Sequence, residues 1–220
     1  YMDKCLGIKF RKFKNIVPLK GYKLDALKVN SAVIVQTDRG DEIGWIVEIV
    51  GERGWKTASD IRLRKIFKYA DENDMKKLLD ITNKEAKLQC AACTKVKEYD
   101  LPIKIIDTEI IFGGNKAILY YKINSQSKTA FSNKQIIKDL SAEFNIRIEM
   151  HMISARDESR IFSGIGICGR ELCCSTFLHE FPHVTVKMLK EQGIPINQPR
   201  VCGICGKLLC CIKYEYEGKQ

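Results

Sequence analysis

The sequence lacks any apolar run of the ~18 to 20 residues that a bilayer-spanning helix needs. No apolar signal-peptide core follows Tyr1-Met2-Asp3-Lys4, so we expect a cytosolic protein. Glycine numbers 15 and proline 5 among 220 residues, while 45% of residues are hydrophobic, which excludes low-complexity and fibrous chains. Ser/His/Asp sets, Walker loops and paired carboxylates are also missing, so nothing supports a hydrolase or a kinase. We therefore expect a folded, non-enzymatic protein.

Two short matches to enzyme motifs are rejected. His179-Glu180-Phe181-Pro182-His183 fits the zinc-protease pattern H-E-x-x-H, but Pro182 obstructs the continuous helical turn that this chemistry requires. The run from Gly164 to Gly169 spells G-x-G-x-x-G but lacks a convincing βαβ unit around it.

Positive charge exceeds negative charge, with 37 Lys plus Arg against 27 Asp plus Glu and a net charge of +10. Eight of the basic residues fall within residues 1–30. Such a field attracts RNA or an acidic protein face, although an ordinary solvated surface explains it equally well. The candidate contacts for phosphate or a partner are Lys9, Arg11, Lys12, Lys14, Arg147, Arg156 and Arg160.

The hydrophobic pattern predicts an α+β fold in four parts. Residues 1–60 form a basic, β-rich part, a small antiparallel sheet or barrel, and residues 61–98 a helical connector. Residues 99–160 form a hairpin, helix and strand unit, in which Gly113-Gly114-Asn115 turns the hairpin and Ser132 caps the helix. Residues 161–220 form a Cys-rich segment for a metal or cluster.

A cysteine repeat is the most informative feature of the chain. Seven of ten cysteines fall between Cys168 and Cys211, and the pattern G-I-C-G-basic-x-L-C-C occurs twice, 37 residues apart. Because cytosolic thiols stay reduced, this density favours metal binding over disulfides. The candidate ligands are Cys168, Cys173, Cys174, Cys202, Cys205, Cys210 and Cys211.

The spacing of the repeat leaves two kinds of metal centre open. Gly169 and Gly206 permit a left-handed turn that returns the first thiol to the vicinal pair, and Arg170 and Lys207 are expected to lower thiol pKa values. The C-x4-C-C spacing leans towards an iron–sulfur cluster, whereas Cys202-Gly203-Ile204-Cys205 has the C-x2-C spacing of zinc sites.

The sequence supports other roles of the cysteines less strongly. The vicinal pairs could be small apolar core residues or the reactive pair of a dithiol oxidoreductase, and Cys90 and Cys93 are expected to be core or ancillary. A zinc-stabilised RNA-binding module is the main alternative function, with arginines on phosphates.

The chain resembles a known family in several segments. They are residues 164–178, Val186-Lys187-Met188, Lys190-Glu191-Gln192, residues 205–215, Phe112-Gly113-Gly114-Asn115-Lys116, Lys138-Asp139-Leu140, Arg147-Ile148-Glu149 and Ala155-Arg156-Asp157-Glu158. These segments resemble the YaaT/RicT family, which carries the polymerase-suppressor C-terminal domain. The likeness is densest from residue 112 to residue 215.

The resemblance implies a regulatory adaptor rather than an enzyme. RicT-like proteins form a complex with two small helical partners, RicA and RicF (YmcA and YlbF), which binds oxygen-sensitive 4Fe-4S clusters. That complex acts with ribonuclease Y in mRNA maturation and is linked to sporulation, competence and biofilm development. The family's thiols fall on Cys168, Cys173, Cys174, Cys205, Cys210 and Cys211. Cys202 departs from the family pattern, where a small polar residue is common, and it keeps zinc open as the alternative.

Overall fold

The computed structural model describes residues 4–12, 16–18, 28–50, 63–123, 133–178, 183–196 and 201–217. It divides the chain into two compact units, Tyr1–Ile153 and Ser154–Gln220. The fold is α+β, as the sequence predicts, with helices and sheets in the same chain. Across the described ranges, no helix combines the length and the apolar character that crossing a membrane requires.

The first unit begins with a five-stranded antiparallel sheet in the order β2-β1-β4-β3-β5. Alternating β-branched residues bury one face of this sheet, with Ile8, Val33 and Ile46 fully buried at its centre. The strands are β1 (Lys4–Phe10), β2 (Ile16–Pro18), β3 (Ala32–Thr37), β4 (Asp41–Val50) and β5 (Leu63–Tyr69).

The helical connector predicted for residues 61–98 is wrong in its first part. Leu63–Tyr69 is strand β5, which pairs with β3 through the partners Val35 and Ile66. Helix α1 (Glu72–Glu98) starts only after Asp71, whose carboxylate accepts a hydrogen bond from the Asp74 N–H at 2.9 Å in a capping box. The charges of β5 hide its strand character, because pairing with a distant strand rather than local pattern determines it.

Helix α1 presents one continuous face to the interior of the first unit. Its buried residues recur at spacings of three or four, which places them on a single stripe. They are Asp74, Leu78, Ile81, Glu85, Leu88, Ala92 and Val96. This stripe packs on the second sheet and forms the largest hydrophobic cluster of the unit.

The second sheet confirms the predicted hairpin, helix and strand. Strands β6 (Ile103–Ile110) and β7 (Lys116–Ile123) are antiparallel, helix α2 (Lys134–Phe144) follows, and β8 (Arg147–Met152) pairs with β7 in parallel. The N-cap of α2 is Asn133, and the predicted cap Ser132 lies outside the described residues.

The described residues of the second unit include four short helices, and Leu189, Val201 and Ile212 form a small core. The helices are α3 (Ala155–Phe162), α4 (Cys173–Thr176), α5 (Val186–Glu191) and α6 (Cys210–Glu217). Both α4 and α6 begin at the first cysteine of a vicinal pair. The cysteine repeat therefore lies wholly within this unit.

A buried charge network crosses the first unit. Glu109 accepts hydrogen bonds from the Arg39 guanidinium at 2.7 Å and from the Tyr120 hydroxyl at 2.6 Å. Arg39 also lies 3.3 Å from a carboxylate oxygen of Glu42, which is buried like Glu109. Burial raises the pKa of Glu42, and Arg39 and then a hydrogen bond from the Thr37 hydroxyl offset this in part, so the arginine is the cation that holds two buried carboxylates in place.

We expect Arg39→Ala to destabilise the protein by about 3 kcal/mol, because it leaves Glu42 and Glu109 buried without their cation. Arg147→Ala is the control: Arg147 also contacts a carboxylate, on Glu149, but its side chain is 77% exposed, so we expect a loss below about 1 kcal/mol. Urea unfolding followed by circular dichroism measures both. Equal losses for the two variants would contradict this account of the network.

Candidate functional site

Two matching loops carry the cysteine repeat. We call residues Gly164–Leu172 the first thiol loop and residues Val201–Leu209 the second thiol loop. In each, a bridge between strand-like residues closes the loop, Ile165 with Glu171 in the first and Cys202 with Leu208 in the second. Each loop also leads directly into a helix that starts with the vicinal cysteines.

The backbone hydrogen bonds of the two loops correspond one to one. In the first loop the Gly166 N–H donates to the Arg170 carbonyl at 2.7 Å and the Gly169 N–H donates to the Gly166 carbonyl at 3.0 Å. In the second loop the equivalent bonds join Gly203 to Lys207 and Gly206 to Gly203, each at 2.9 Å. The repeat in sequence is therefore a repeat in structure.

A left-handed glycine turns each loop. Gly169 has φ of 77° and Gly206 has φ of 71°, a region that residues with a Cβ atom rarely adopt. The turn predicted at these glycines is confirmed. Glycine is needed for its backbone conformation and not for space, because a Cβ atom at either position would meet nothing within 4 Å.

The two loops face one cavity of about 80 Å³. All six thiols of the repeat line it, and the sequence alone did not show that the loops meet. They are Cys168, Cys173, Cys174, Cys205, Cys210 and Cys211. Cys202 is exposed and is not among the lining residues.

The six thiols form two sets of three that are related by a pseudo-twofold axis. The Cys174 thiol interacts electrostatically with Cys205, and Cys211 interacts in the same way with Cys168. These two electrostatic interactions exchange under the 37-residue offset of the repeat. Cys173 and Cys210 are equivalents of each other, and they also interact electrostatically. Reciprocal interactions of this kind are those of a pseudo-twofold arrangement.

An aromatic pair extends this symmetry beyond the motif. Phe177 and Tyr214 are equivalent positions, and their rings pack edge to face with centroids 5.2 Å apart. The motif comparison missed this pair, but extending the alignment by three residues past the vicinal cysteines would have found it.

Burial and the neighbouring thiols raise the pKa values of three of the thiols that line the cavity. Burial, followed by Cys173 and Cys174, raises the pKa of the Cys210 thiol to about 11. Burial and then Cys205 raise the pKa of Cys174, and burial and then Cys173 raise that of Cys211. Within the described chain, no three Cys, His, Asp or Glu side chains are grouped closely enough to hold a single metal ion. The thiols therefore surround a volume and do not converge on one point.

The cations near the thiols are not those that the motif suggests. Arg170 and Lys207 are exposed, whereas Arg156 lines the cavity and lowers the pKa of Cys174 and Cys210. Arg160 also lowers the pKa of Cys174. Arg156 and Arg160 belong to α3, outside the repeat. The cavity is also lined by side chains that the sequence did not indicate, among them Ser159, Glu171, Ile167 and Ile204.

The residues predicted for phosphate binding are dispersed. In the first unit Arg11 donates to Glu85 at 2.8 Å and the Lys12 ammonium contacts both carboxylate oxygens of Asp107 at 2.7 and 2.8 Å. Lys9 is half-buried on β1, and Arg147 is exposed on β8. Arg156 and Arg160 lie in the second unit.

Some residues named in the sequence predictions lie outside the described ranges, and the structure locates the others. Lys14 and residues 179–182 of the rejected zinc-protease match lie outside the described residues. The G-x-G-x-x-G match at Gly164–Gly169 forms the first thiol loop, with no strand leading into it, so its rejection as a dinucleotide loop is confirmed. Cys93 packs against the core of the first unit, as expected, and Cys90 is exposed.

We expect Gly206→Ala to destabilise the second unit by about 1 to 2 kcal/mol, because alanine is strained at this positive φ. Gly203→Ala in the same loop is the control, since its Cβ would lie 3.6 Å from the Cys205 sulfur, an ordinary contact, without a positive φ. Thermal unfolding of both variants measures the difference. A loss at Gly203 as large as the loss at Gly206 would show that backbone conformation is not the cause.

We also expect the Cys210 thiol of the metal-free protein to react slowly with iodoacetamide at neutral pH, because the thiolate is the reactive form. With a pKa of about 11, its rate should rise about tenfold for each pH unit below that value. Exposed Cys202 serves as the internal reference, and mass spectrometry of timed samples gives both rates. Reaction of Cys210 as fast as Cys202 at neutral pH would contradict the raised pKa.

Comparison with known proteins gives two family matches. The PSP1 C-terminal conserved region matches residues 64–153, and the third domain of PSP1-like proteins matches residues 183–218, which include the second thiol loop. No solved structure matches the chain.

Two curated proteins are similar to the chain. One is the stage 0 sporulation protein YaaT of Bacillus subtilis, 37% identical over 217 residues, which are 97% of this chain and 76% of that protein. The other is the Schizosaccharomyces pombe protein PB7E8.02, 21% identical over 61% of this chain and 21% of its own length. The extent of the first similarity, together with the two PSP1 matches, shows that the chain belongs to the YaaT family of PSP1 proteins.

Proposed function

We propose that this chain is a cytoplasmic, non-enzymatic regulatory adaptor that holds a 4Fe-4S cluster between its two thiol loops. The observation that supports the cluster is the convergence of six thiols, three from each loop, on one cavity of about 80 Å³. Nitrogen ligands play no part there, since no histidine is among the lining residues of this described site.

The donor set fits an iron–sulfur cluster chemically. Soft thiolates are the ligands that such clusters take, and the cluster irons are cations that offset the repulsion among neighbouring thiolates. Cys168, Cys173, Cys174, Cys205, Cys210 and Cys211 are the residues that would hold it. When bound, the cluster supplies a redox-active and oxygen-sensitive centre.

The arrangement favours a cluster over a single zinc ion. Zinc needs four ligand atoms that each lie about 2.0 to 2.3 Å from one ion. In a cluster each thiolate binds a different iron, so its ligands surround a larger volume. Six thiols around one cavity match the second requirement.

The regulatory role is inferred from the family. The Bacillus subtilis relative is named a stage 0 sporulation protein, and we propose that this chain acts in the same kind of developmental control. From the family resemblance we further propose RicA/RicF-like helical partners and a role in ribonuclease Y-dependent mRNA maturation, with links to sporulation, competence and biofilm formation. Six thiols do not divide evenly into clusters of four, so we propose that a ligand is shared with a partner chain.

We prefer this function to that of a zinc-stabilised RNA-binding module. The arginines on which the RNA-binding alternative depends are Arg147, Arg156 and Arg160. Arg160 is only 6% exposed and Arg156 lines the thiol cavity, so neither offers an open surface to phosphates. Just after β1, Arg11 and Lys12 form ion pairs with carboxylates of the same unit.

We expect the protein purified without oxygen to be coloured and to contain iron and acid-labile sulfide in equal amounts. The double variant Cys173→Ser/Cys210→Ser should lose most of this iron, because it removes the pair related by the pseudo-twofold axis. Cys202→Ser is the control in the same loop and should keep its iron. Mössbauer and visible spectra, with elemental analysis, measure each sample.

Two results would overturn the cluster. One is a wild-type protein that is colourless and free of iron although it was kept from air throughout. The other is zinc in stoichiometric amount whose retention depends on Cys202, which would support the zinc alternative.

A further inference from the structure

Helix α3 places two arginines beside the thiols. Arg156 and Arg160 are four residues apart, so they share one face of the helix. The Arg156 guanidinium donates to the carbonyl of Leu208 at 3.4 Å, a backbone group of the second thiol loop. Arg156 also lines the cavity with the six thiols. The helix is therefore attached to the site by a cationic side chain.

The buried position of the Arg160 guanidinium costs free energy. It is 6% exposed, and burial lowers the pKa of its guanidinium, which Asp157 and Cys174 oppose. The Asp157 carboxylate also serves the capping box of α3, where it accepts from the Ser154 backbone N–H at 3.2 Å, and it accepts from the Ser154 hydroxyl at 2.7 Å. The buried guanidinium is therefore a positive charge on the same helix face as Arg156.

The arginines break the symmetry that the thiols obey. Moving by 37 residues from Arg156 and Arg160 leads to Gly193 and Asn197, which carry no charge. Arg156 acts on Cys174 and Cys210, while the acidic neighbour Glu215 acts on Cys211. The positive charge of the arginines therefore comes from helix α3, which is not part of the repeat, and it lies on one side of the site.

We propose that Arg156 is a positioning residue that supplies the countercharge for a metal–thiolate assembly in this cavity, a role that the exposed Arg170 and Lys207 do not share. Bound thiolates carry more negative charge than the metal ions neutralise, and a cation in a partly buried site is screened less than one in water. This inference deepens the proposed function and rests on its thiol site.

The test compares four single variants of the full chain, Arg156→Gln, Arg156→Lys, Arg170→Gln and Lys207→Gln. Cadmium(II) is the probe, because its thiolate complexes absorb in the ultraviolet and its affinity can be measured against a chelator. Arg156→Gln keeps a hydrogen-bond donor for Leu208 but loses the charge, whereas Arg156→Lys keeps the charge. Arg170→Gln and Lys207→Gln remove the same charge from exposed positions. Thermal unfolding checks each fold, and Arg156→Met is the second neutral variant should the glutamine variant not fold.

We expect Arg156→Gln to lose about 10- to 100-fold in cadmium affinity, the usual cost of removing a group that supports metal ligands. Arg156→Lys should stay close to wild type, and the two exposed-site variants should be unchanged. On cluster-loaded protein, Arg156→Gln should also lower the midpoint reduction potential, because a nearby positive charge stabilises the reduced and more negative state. A merely structural role for Arg156 would not be rescued by lysine.

The inference is overturned if Arg156→Gln and Arg170→Gln bind cadmium equally, or if Arg156→Lys loses as much affinity as Arg156→Gln. The proposed function can fail separately. If wild type binds cadmium on its thiols but forms no cluster with iron and sulfide, the cluster is wrong and the cadmium comparison alone decides the role of Arg156. If wild type binds neither, both proposals are wrong.

Discussion

The second unit depends on one backbone constraint, the left-handed glycine in each thiol loop. Gly169 and Gly206 reverse the chain between the first thiol and the vicinal pair, so that three sulfurs of each motif reach the same cavity. A straight helix would have spread those thiols around its circumference. The matched hydrogen bonds of the loops and the helices that begin at Cys173 and Cys210 follow from this turn. The chemistry of the site is thus a consequence of two torsion angles that only glycine adopts without strain.

The duplication of the loop explains how a small unit builds a site with so many thiols. Neither half contributes more than three thiols of the repeat, so a centre with four protein ligands from this chain needs both halves. Phe177 and Tyr214 hold the two halves together across the pseudo-twofold axis, next to a core that consists of Leu189, Val201 and Ile212. A core of this size supplies little stability alone, and small units commonly depend on a metal centre for the remainder. Under the proposed function, binding of a cluster at the cavity would therefore be coupled to folding of this unit.

The first unit shows why charge along a sequence predicts surfaces poorly. The basic residues near the amino terminus suggested a polyanion-binding face. In the fold, Arg11 and Lys12 contact Glu85 and Asp107, and Arg39 holds two buried carboxylates. Each of these cations meets an acidic residue from a distant part of the same unit. The net charge of a segment is read from its sequence, but the field it presents depends on which charges pair on folding.

What the sequence alone determined is local. The hairpin at Gly113-Gly114, strand β8 and the glycine-turned thiol motifs were all predicted, because turn chemistry and periodicity act over a few residues. The tertiary structure decided the rest: the pairing of β5 with β3, the meeting of the two thiol loops at one cavity, and the placement of Arg156 and Arg160 beside the thiols. Those features join residues that are far apart in the chain. Their free energy comes from burial and charge pairing that arise only when the separate elements pack together.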